Sequence, residues 1–392
     1  MNNFEYYAPT KVVFGKDTET KVGELVKEFG GTKVLVHFGG GSAVKSGLID
    51  KVCKALEEAG ISYVTLGGVK PNPRLSLARE GIELCKKEGV DFILAVGGGS
   101  VIDSSKCIGY GLANGGDVWD FFDGKRKATA CTPIGAVLTI AAAGSEMSHS
   151  CVITNEDGWI KKGYSTNYAR CKFAVMNPEL TYSLPEYQTM SGCVDILMHT
   201  MDRYFSPSED TMLTDGIGEA LMKTVIHYTK ILKENPLDYN ARAQVMWASS
   251  LSHNDLTGCG LAKDFASHQL EHELSGMFDV AHGAGLAAVW GSWARYVYMD
   301  KPVRFAQFAV NVLGIPMDFC HPEKTALEGI KEMEHFFQSI GMPTSIHELG
   351  IDVTDEQIEE MARKCCQDDK RTIGSFKVLK REDMIKIYHM AK

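Results

Sequence analysis

No apolar run in this sequence reaches the roughly 20 residues that a membrane-spanning helix needs. The N-terminal stretch Met1–Tyr7 has neither the basic nor the apolar segment of a secretory signal. Cysteines at CxxC spacing are missing too. The 11 cysteines are odd in number and scattered, with only Cys365 and Cys366 adjacent. That pattern excludes a disulfide framework and points to a reducing cytoplasm. A basic stripe is also lacking: 41 Lys and Arg stand against 50 Asp and Glu, a net charge of −9. Nucleic acid and anionic membrane surfaces are therefore not expected partners. Finally, no GxGxxG followed by an acidic residue some 20 positions on occurs, so the standard dinucleotide fingerprint is absent.

What remains is an ordinary globular composition over 392 residues, enough for two domains. Up to about residue 180, short β-rich runs alternate with helical patterns. Lys33–Phe38 reads as a strand that ends in Gly39, Gly40, Gly41 and Ser42. Ile61–Leu66 is the next strand, and a helix is expected from about residue 73 to 87. The run Asp91–Val96 is a further strand, ending in Gly97, Gly98, Gly99 and Ser100 and opening a helix that carries Asp103. Such alternation implies a doubly wound, mostly parallel sheet with helices on both faces. Two strand–glycine–helix junctions at successive strand ends suit a dinucleotide. Glycine admits a close phosphate, and a helix N-terminus offers free N–H groups. No carboxylate follows Gly39–Ser42, only Lys45, so nothing there would repel a 2′-phosphate; this favours NADP(H) over NAD(H). Thr139, in a strand running into Gly144-Ser145-Glu146, is a further candidate for cofactor contact. Lys161 lies in a polar hairpin. After Pro185 helical patterns dominate, which divides the chain into an α/β dinucleotide-binding domain, 1–182, and an all-α domain, 183–392.

The helical half carries the metal-type residues. Asp195 and His199 are four apart in a stretch free of Gly and Pro after Gly192, so a helix sets both on one face. His268 and His272 share a face in the same way. His282 follows a break and precedes a glycine and an apolar helix. One carboxylate with three imidazoles suits Zn²⁺ or Fe²⁺, and spacing alone leaves open which of His268 and His272 ligates. Phe265, Met277, Phe278 and Trp290 are candidates for lining a substrate pocket. Basic residues do not cluster near the metal set, so a short neutral substrate is expected rather than an anionic one.

These features together resemble the iron-containing (group III) alcohol dehydrogenase family, and within it the NAD(P)H-dependent butanol dehydrogenases. The likeness runs from Pro9-Thr10-Lys11-Val12-Val13-Phe14-Gly15 through Gly68–Pro73, both GGGS loops, Gly144-Ser145-Glu146-Met147 and Met246–Ser250, to the His268–His282 segment. It implies the fold shared with dehydroquinate synthase, and one divalent metal, Fe²⁺ or Zn²⁺, on Asp195, His199, His268 and His282. It implies His272 as a catalytic, non-ligand histidine near nicotinamide and substrate. Gly97–Ser100, with Asp103, corresponds to the pyrophosphate loop, Gly39–Ser42 to the loop that selects NADP over NAD, and Lys161 to a lysine near the cofactor. The implied reaction is hydride transfer between NADP(H) and a short-chain alcohol or aldehyde such as butanol or butyraldehyde; glycerol or diol oxidation, and a lyase reaction of the dehydroquinate synthase type, are the alternatives on the same fold. A homodimer is the implied assembly. The chain departs from the pattern at Ala142-Ala143, where a hydroxyl often stands, and at Asn177-Pro178 in place of Asp-Pro.

Overall fold

A computed structural model describes Met1–Lys392, which form two compact units: Tyr7–Leu184, and Pro185–Lys392 together with Met1–Tyr6. No helix is long and apolar enough to cross a membrane.

The Tyr7–Leu184 unit holds strands β1 (Lys11–Phe14), β2 (Lys33–Gly39), β3 (Ser62–Val69), β4 (Phe92–Gly97), β5 (Ile134–Leu138), β6 (Ser150–Asn155), β7 (Ile160–Ser165) and β8 (Phe173–Met176). Its helices are α1 (Val22–Glu28), α2 (Ser42–Lys45), α3 (Leu48–Glu58), α4 (Leu75–Glu88), α5 (Gly99–Asn114) and α6 (Trp119–Phe122). Six strands make one parallel sheet in the order β1-β8-β5-β4-β2-β3. β4, β5 and β8 are buried along their whole length, and their sequences are near-continuous apolar runs, as strands covered on both faces require. The edge strands β1 and β3 are only partly buried. β6 and β7 form a separate antiparallel hairpin, which carries Lys161.

The order of the strands matters for function. From β2 the chain moves outward to β3, then returns to β4 on the other side of β2 and continues to β5. The direction of winding therefore reverses between β2 and β4, where ligands gather at the strand ends of open α/β sheets. Phe38 pairs with Val96, so the two glycine loops leave neighbouring strands side by side.

The other unit is helical: α7 (Glu186–Tyr204), α8 (Met212–Glu234), α9 (Tyr239–His253), α10 (Ala266–Phe278), α11 (His282–Val297), α12 (Pro302–Asn311), α13 (Pro322–Ser339), α14 (Asp355–Cys365) and α15 (Arg381–Ala391). α7 is its central element, with every residue from Thr189 to Tyr204 buried. Met190, Val194, Leu197 and Met201 supply the apolar packing, while Asp195, His199 and Asp202, spaced i, i+4, i+7, form a polar stripe along one face. Buried polar groups need partners, and those partners come from the ends of α9, α10 and α11.

Candidate active site

At the strand ends of the Tyr7–Leu184 unit, the loops leaving β4 and β5 meet. Gly98 passes so close to Ile140 that a Cβ there would fall 2.1 Å from its Cγ2, and a Cβ on Gly99 would press on Ala143 at 3.3 Å. The Thr139 N–H donates to the Gly97 carbonyl at 3.1 Å, tying the exit of β5 to that of β4. Asp103 lies one turn into α5. Its Oδ1 accepts from Ser145 Oγ at 2.5 Å and its Oδ2 from the Val152 N–H at 2.9 Å. Both of its oxygens are thus engaged by the protein, and what Asp103 visibly does is hold the 145–152 segment under the loops. Burial pushes its pKa up, against the pull of Lys106. Lys106 itself, fully buried, donates to the carbonyls of Ser145, Ser148 and Ser150 and to Ser145 Oγ at 2.7 to 3.0 Å. Sequence reading passed over this lysine, because nothing in its spacing announces a buried ammonium. Lys161 is also buried and reaches Asn72 Oδ1 at 3.0 Å. Ser42 and Lys45 are exposed at the short α2.

In the helical unit the histidines converge on Asp195. Three Nε2 atoms surround its Oδ1: His199 at 3.3 Å, His282 at 3.8 Å and His268 at 3.9 Å. The ligand atoms of Asp195, His268 and His282 all lie within 4.8 Å of one another, and His199 joins them through its contact with Asp195. Two donors on one tetrahedral ion at 2.0–2.1 Å would stand about 3.3 Å apart, which the observed spacings approach. His268 Nε2 is buried with no hydrogen-bond partner. A polar atom is rarely buried so without reason, and here it faces the carboxylate beside which a cation would sit.

Each imidazole is held from behind through Nδ1. His268 Nδ1 bonds Asp202 Oδ2 at 2.6 Å, His282 Nδ1 bonds Glu271 Oε2, and His199 Nδ1 meets His253 Nδ1 at 2.7 Å. These contacts turn all three Nε2 lone pairs toward one point, the arrangement usual for metal-binding histidines. Burial, then the neighbouring His253, His268, Arg203 and His282, holds the His199 pKa well below its ordinary value, so its ring is neutral. Metal ligation requires that form. Of the three backing residues, Asp202 lies one turn beyond His199 on α7. His253 ends α9 and Glu271 precedes His272; neither has a spacing that singles it out.

Local sequence explains how these side chains arrive. Asp264 accepts the N–H of Ala266 at 2.9 Å, and Phe265 turns the chain in the left-handed region at φ 58°, so α10 begins abruptly. At its other end Asp279 has φ 54°, and three residues later α11 starts at His282. Gly283 allows this: a Cβ there would lie 1.9 Å from the Ser191 carbonyl oxygen of α7. His272 is half-buried and stands outside the Asp195 group. It forms with Glu271 and His282 a second set of ligand-type atoms within 4.8 Å, its ring 5.7 Å from that of His282. Trp290 is fully buried in the helical core against Phe205, Phe308 and Phe337.

Comparison with known proteins now decides the family. The model for "Iron-containing alcohol dehydrogenase" matches residues 9–178, and that for "Fe-containing alcohol dehydrogenase family, C-terminal" matches residues 189–392. The chain belongs to the iron-containing alcohol dehydrogenase family. It is 40% identical to the NADH-dependent butanol dehydrogenase A of Clostridium acetobutylicum over 99% of both chains. To the NADPH-dependent aldehyde reductase YqhD of Escherichia coli it is 34% identical over 90% of both. A crystal structure of NADH-dependent butanol dehydrogenase A from Thermotoga maritima superposes with a TM-score of 0.95 at 38% identity, covering 100% of this chain and 99% of that one. As an iron-containing alcohol dehydrogenase the chain is an oxidoreductase, with a parallel-sheet α/β unit and a helical unit.

Proposed function

We propose that this enzyme reduces short-chain aldehydes, and oxidises the corresponding primary alcohols, by hydride transfer with NADP(H), at a single divalent metal held by Asp195, His199, His268 and His282. The observation that carries this reading is the convergence of three imidazole Nε2 atoms, those of His199 and His268 buried, on Asp195 Oδ1, each with its Nδ1 tied behind. A divalent ion there, Fe²⁺ or Zn²⁺, supplies Lewis acidity toward the substrate oxygen. The protein's part is to fix tautomers, exclude stray bonding and move a proton. Reduction consumes one hydride at the carbonyl carbon and one proton at its oxygen, and we assign the proton transfer to the imidazole of His272, half-buried beside His282. A neutral substrate fits the local charge. Arg203, the buried cation nearest the set, has its Nη1 on the His199 carbonyl at 2.6 Å and its guanidinium over the Phe265 ring.

The dinucleotide rests, in this reading, on Gly97–Ser100 and Gly39–Ser42, with Thr139 and Lys161 beside it and Asp103 holding the loop from beneath. NADP(H) is supported by the absence of any carboxylate between Gly39 and Ser46 and by the exposed Ser42 and Lys45. Relatives divide on the point: the butanol dehydrogenase at 40% identity is NADH-dependent, the aldehyde reductase at 34% NADPH-dependent. All 11 cysteines are free thiols, which fits a reducing compartment.

The test is anaerobic oxidation of NADPH and, separately, of NADH with butyraldehyde, on protein stripped of metal and reloaded with Fe²⁺ or Zn²⁺. Metal-dependent turnover with a higher kcat/KM for NADPH is expected. A higher value for NADH would overturn the cofactor choice and leave the reaction standing; no turnover with either metal would overturn the reaction.

A further inference from the structure

The three imidazoles around Asp195 are not backed alike. Asp202 and Glu271, both fully buried carboxylates, stand behind His268 and His282. Behind His199 stands another imidazole: His253 Nδ1 lies 2.7 Å from His199 Nδ1, the rings meeting edge-on at 78° with centroids 3.9 Å apart. Two imidazole nitrogens at that distance share one proton between them, one donating and one accepting. If His199 presents an Nε2 lone pair toward Asp195, its proton is on Nδ1, and His253 Nδ1 must accept. The proton of His253 is then on Nε2. With His199 Nε2 turned to the ion, the contact therefore sets the tautomer of both rings.

Resting on the metal reading above, we propose that His253 is a positioning residue: it fixes His199 as an Nδ1–H donor with Nε2 free for the ion, and it does so without adding charge. Carboxylates behind the other two rings make those ligands more basic. A third would raise the negative charge around the centre from three groups, Asp195, Asp202 and Glu271, to four, and would blunt the ion's pull on a substrate oxygen. A neutral acceptor holds the ring and leaves that pull intact. The end of α9 suits the task, since Asp238 caps the start of the helix by accepting the Ala241 N–H at 2.8 Å and the final residue, His253, is set against α7.

Three variants of the full chain, freed of metal and loaded with Co²⁺, test this by chelator competition and by the visible d–d spectrum. His253→Ala should weaken Co²⁺ binding by roughly 10–100-fold. His253→Asn, whose amide oxygen falls near where Nδ1 stood, should recover most of that loss, which a merely space-filling role would not predict. His253→Asp should bind Co²⁺ at least as tightly as the native protein, shift the d–d bands and lower kcat. Native affinity and spectrum in His253→Ala overturn the inference, as does His253→Asn binding as weakly as His253→Ala with its melting temperature unchanged. A native protein that takes up no Co²⁺, Fe²⁺ or Zn²⁺ would instead overturn the metal reading itself.

Discussion

Asp202 Oδ2 on His268 Nδ1, at 2.6 Å, shows what a single side chain contributes at the residue scale. It selects the ring nitrogen that faces Asp195, and it leaves His268 Nε2 as a buried atom with no partner of its own. Such an atom costs about 1–3 kcal/mol unless something meets it. We therefore expect His268→Ala to lose metal and activity together, measured as bound Fe²⁺ per chain and turnover on the same sample. His272→Ala should keep the metal and lose turnover, since its ring belongs to the Glu271–His282 group rather than to that of Asp195. The reverse pattern, metal kept without His268 and lost without His272, would swap the two roles. At this scale the sequence was partly legible. Asp195 with His199, and His268 with His272, are visible as i, i+4 pairs because helix geometry repeats within a turn. His253 and Glu271 were not, because their partners lie 54 and 11 residues away and only folding makes them neighbours.

At the scale of elements, α7 and α11 show how backbone approach places a ligand. The first turn of α11 comes so close to α7 that Gly283 has no room for a side chain, the Ser191 carbonyl being 1.9 Å from where a Cβ would lie. Backbone cannot yield as a flexible side chain can. Gly283→Ala should therefore cost about 1–3 kcal/mol of stability. It should also push His282 away from Asp195, so the melting temperature and the bound metal should fall together. A stable variant that retains full metal would show that α11 adjusts without moving His282. At the other site the obstacle differs: Gly98 faces the Ile140 side chain rather than backbone. The left-handed residues Phe265 and Asp279 at the two ends of α10 have no signal in the sequence, since neither is a glycine.

For the molecule as a whole, buried neutral histidines tie stability to pH. His37 lies in the middle of β2, fully buried, with Nδ1 on the Leu66 carbonyl and Nε2 on Ser104 Oγ, each at 2.8 Å. Burial lowers its pKa to about 4 against an ordinary 6.5. The native state thus refuses a proton that the unfolded chain takes up below 6.5. Stability is full above that value and falls as the pH drops from 6.5 to about 4, by about 3 kcal/mol over the window. His199 acts in the same direction in the metal-free protein, its pKa being depressed by burial. Urea unfolding of the metal-free chain between pH 7 and pH 4.5 should show the decline, and His37→Leu should flatten part of it. Equal slopes in the two proteins would dismiss the role of His37.

Local pattern carried much of this protein into view. Alternating runs marked the parallel sheet, glycines after Phe38 and Val96 marked the loops at its strand ends, and helical spacing marked Asp195 with His199. Each of these signals repeats within a few residues, so the sequence alone determined it. Tertiary structure decided the rest. It set β2 beside β4 and so joined the two loops, buried Lys106 beneath them, chose His268 over His272 as the neighbour of Asp195, and put His253, Asp202 and Glu271 behind the three imidazoles. Those choices depend on which helix faces meet. That is a property of close packing between distant segments, and no short window of sequence contains it.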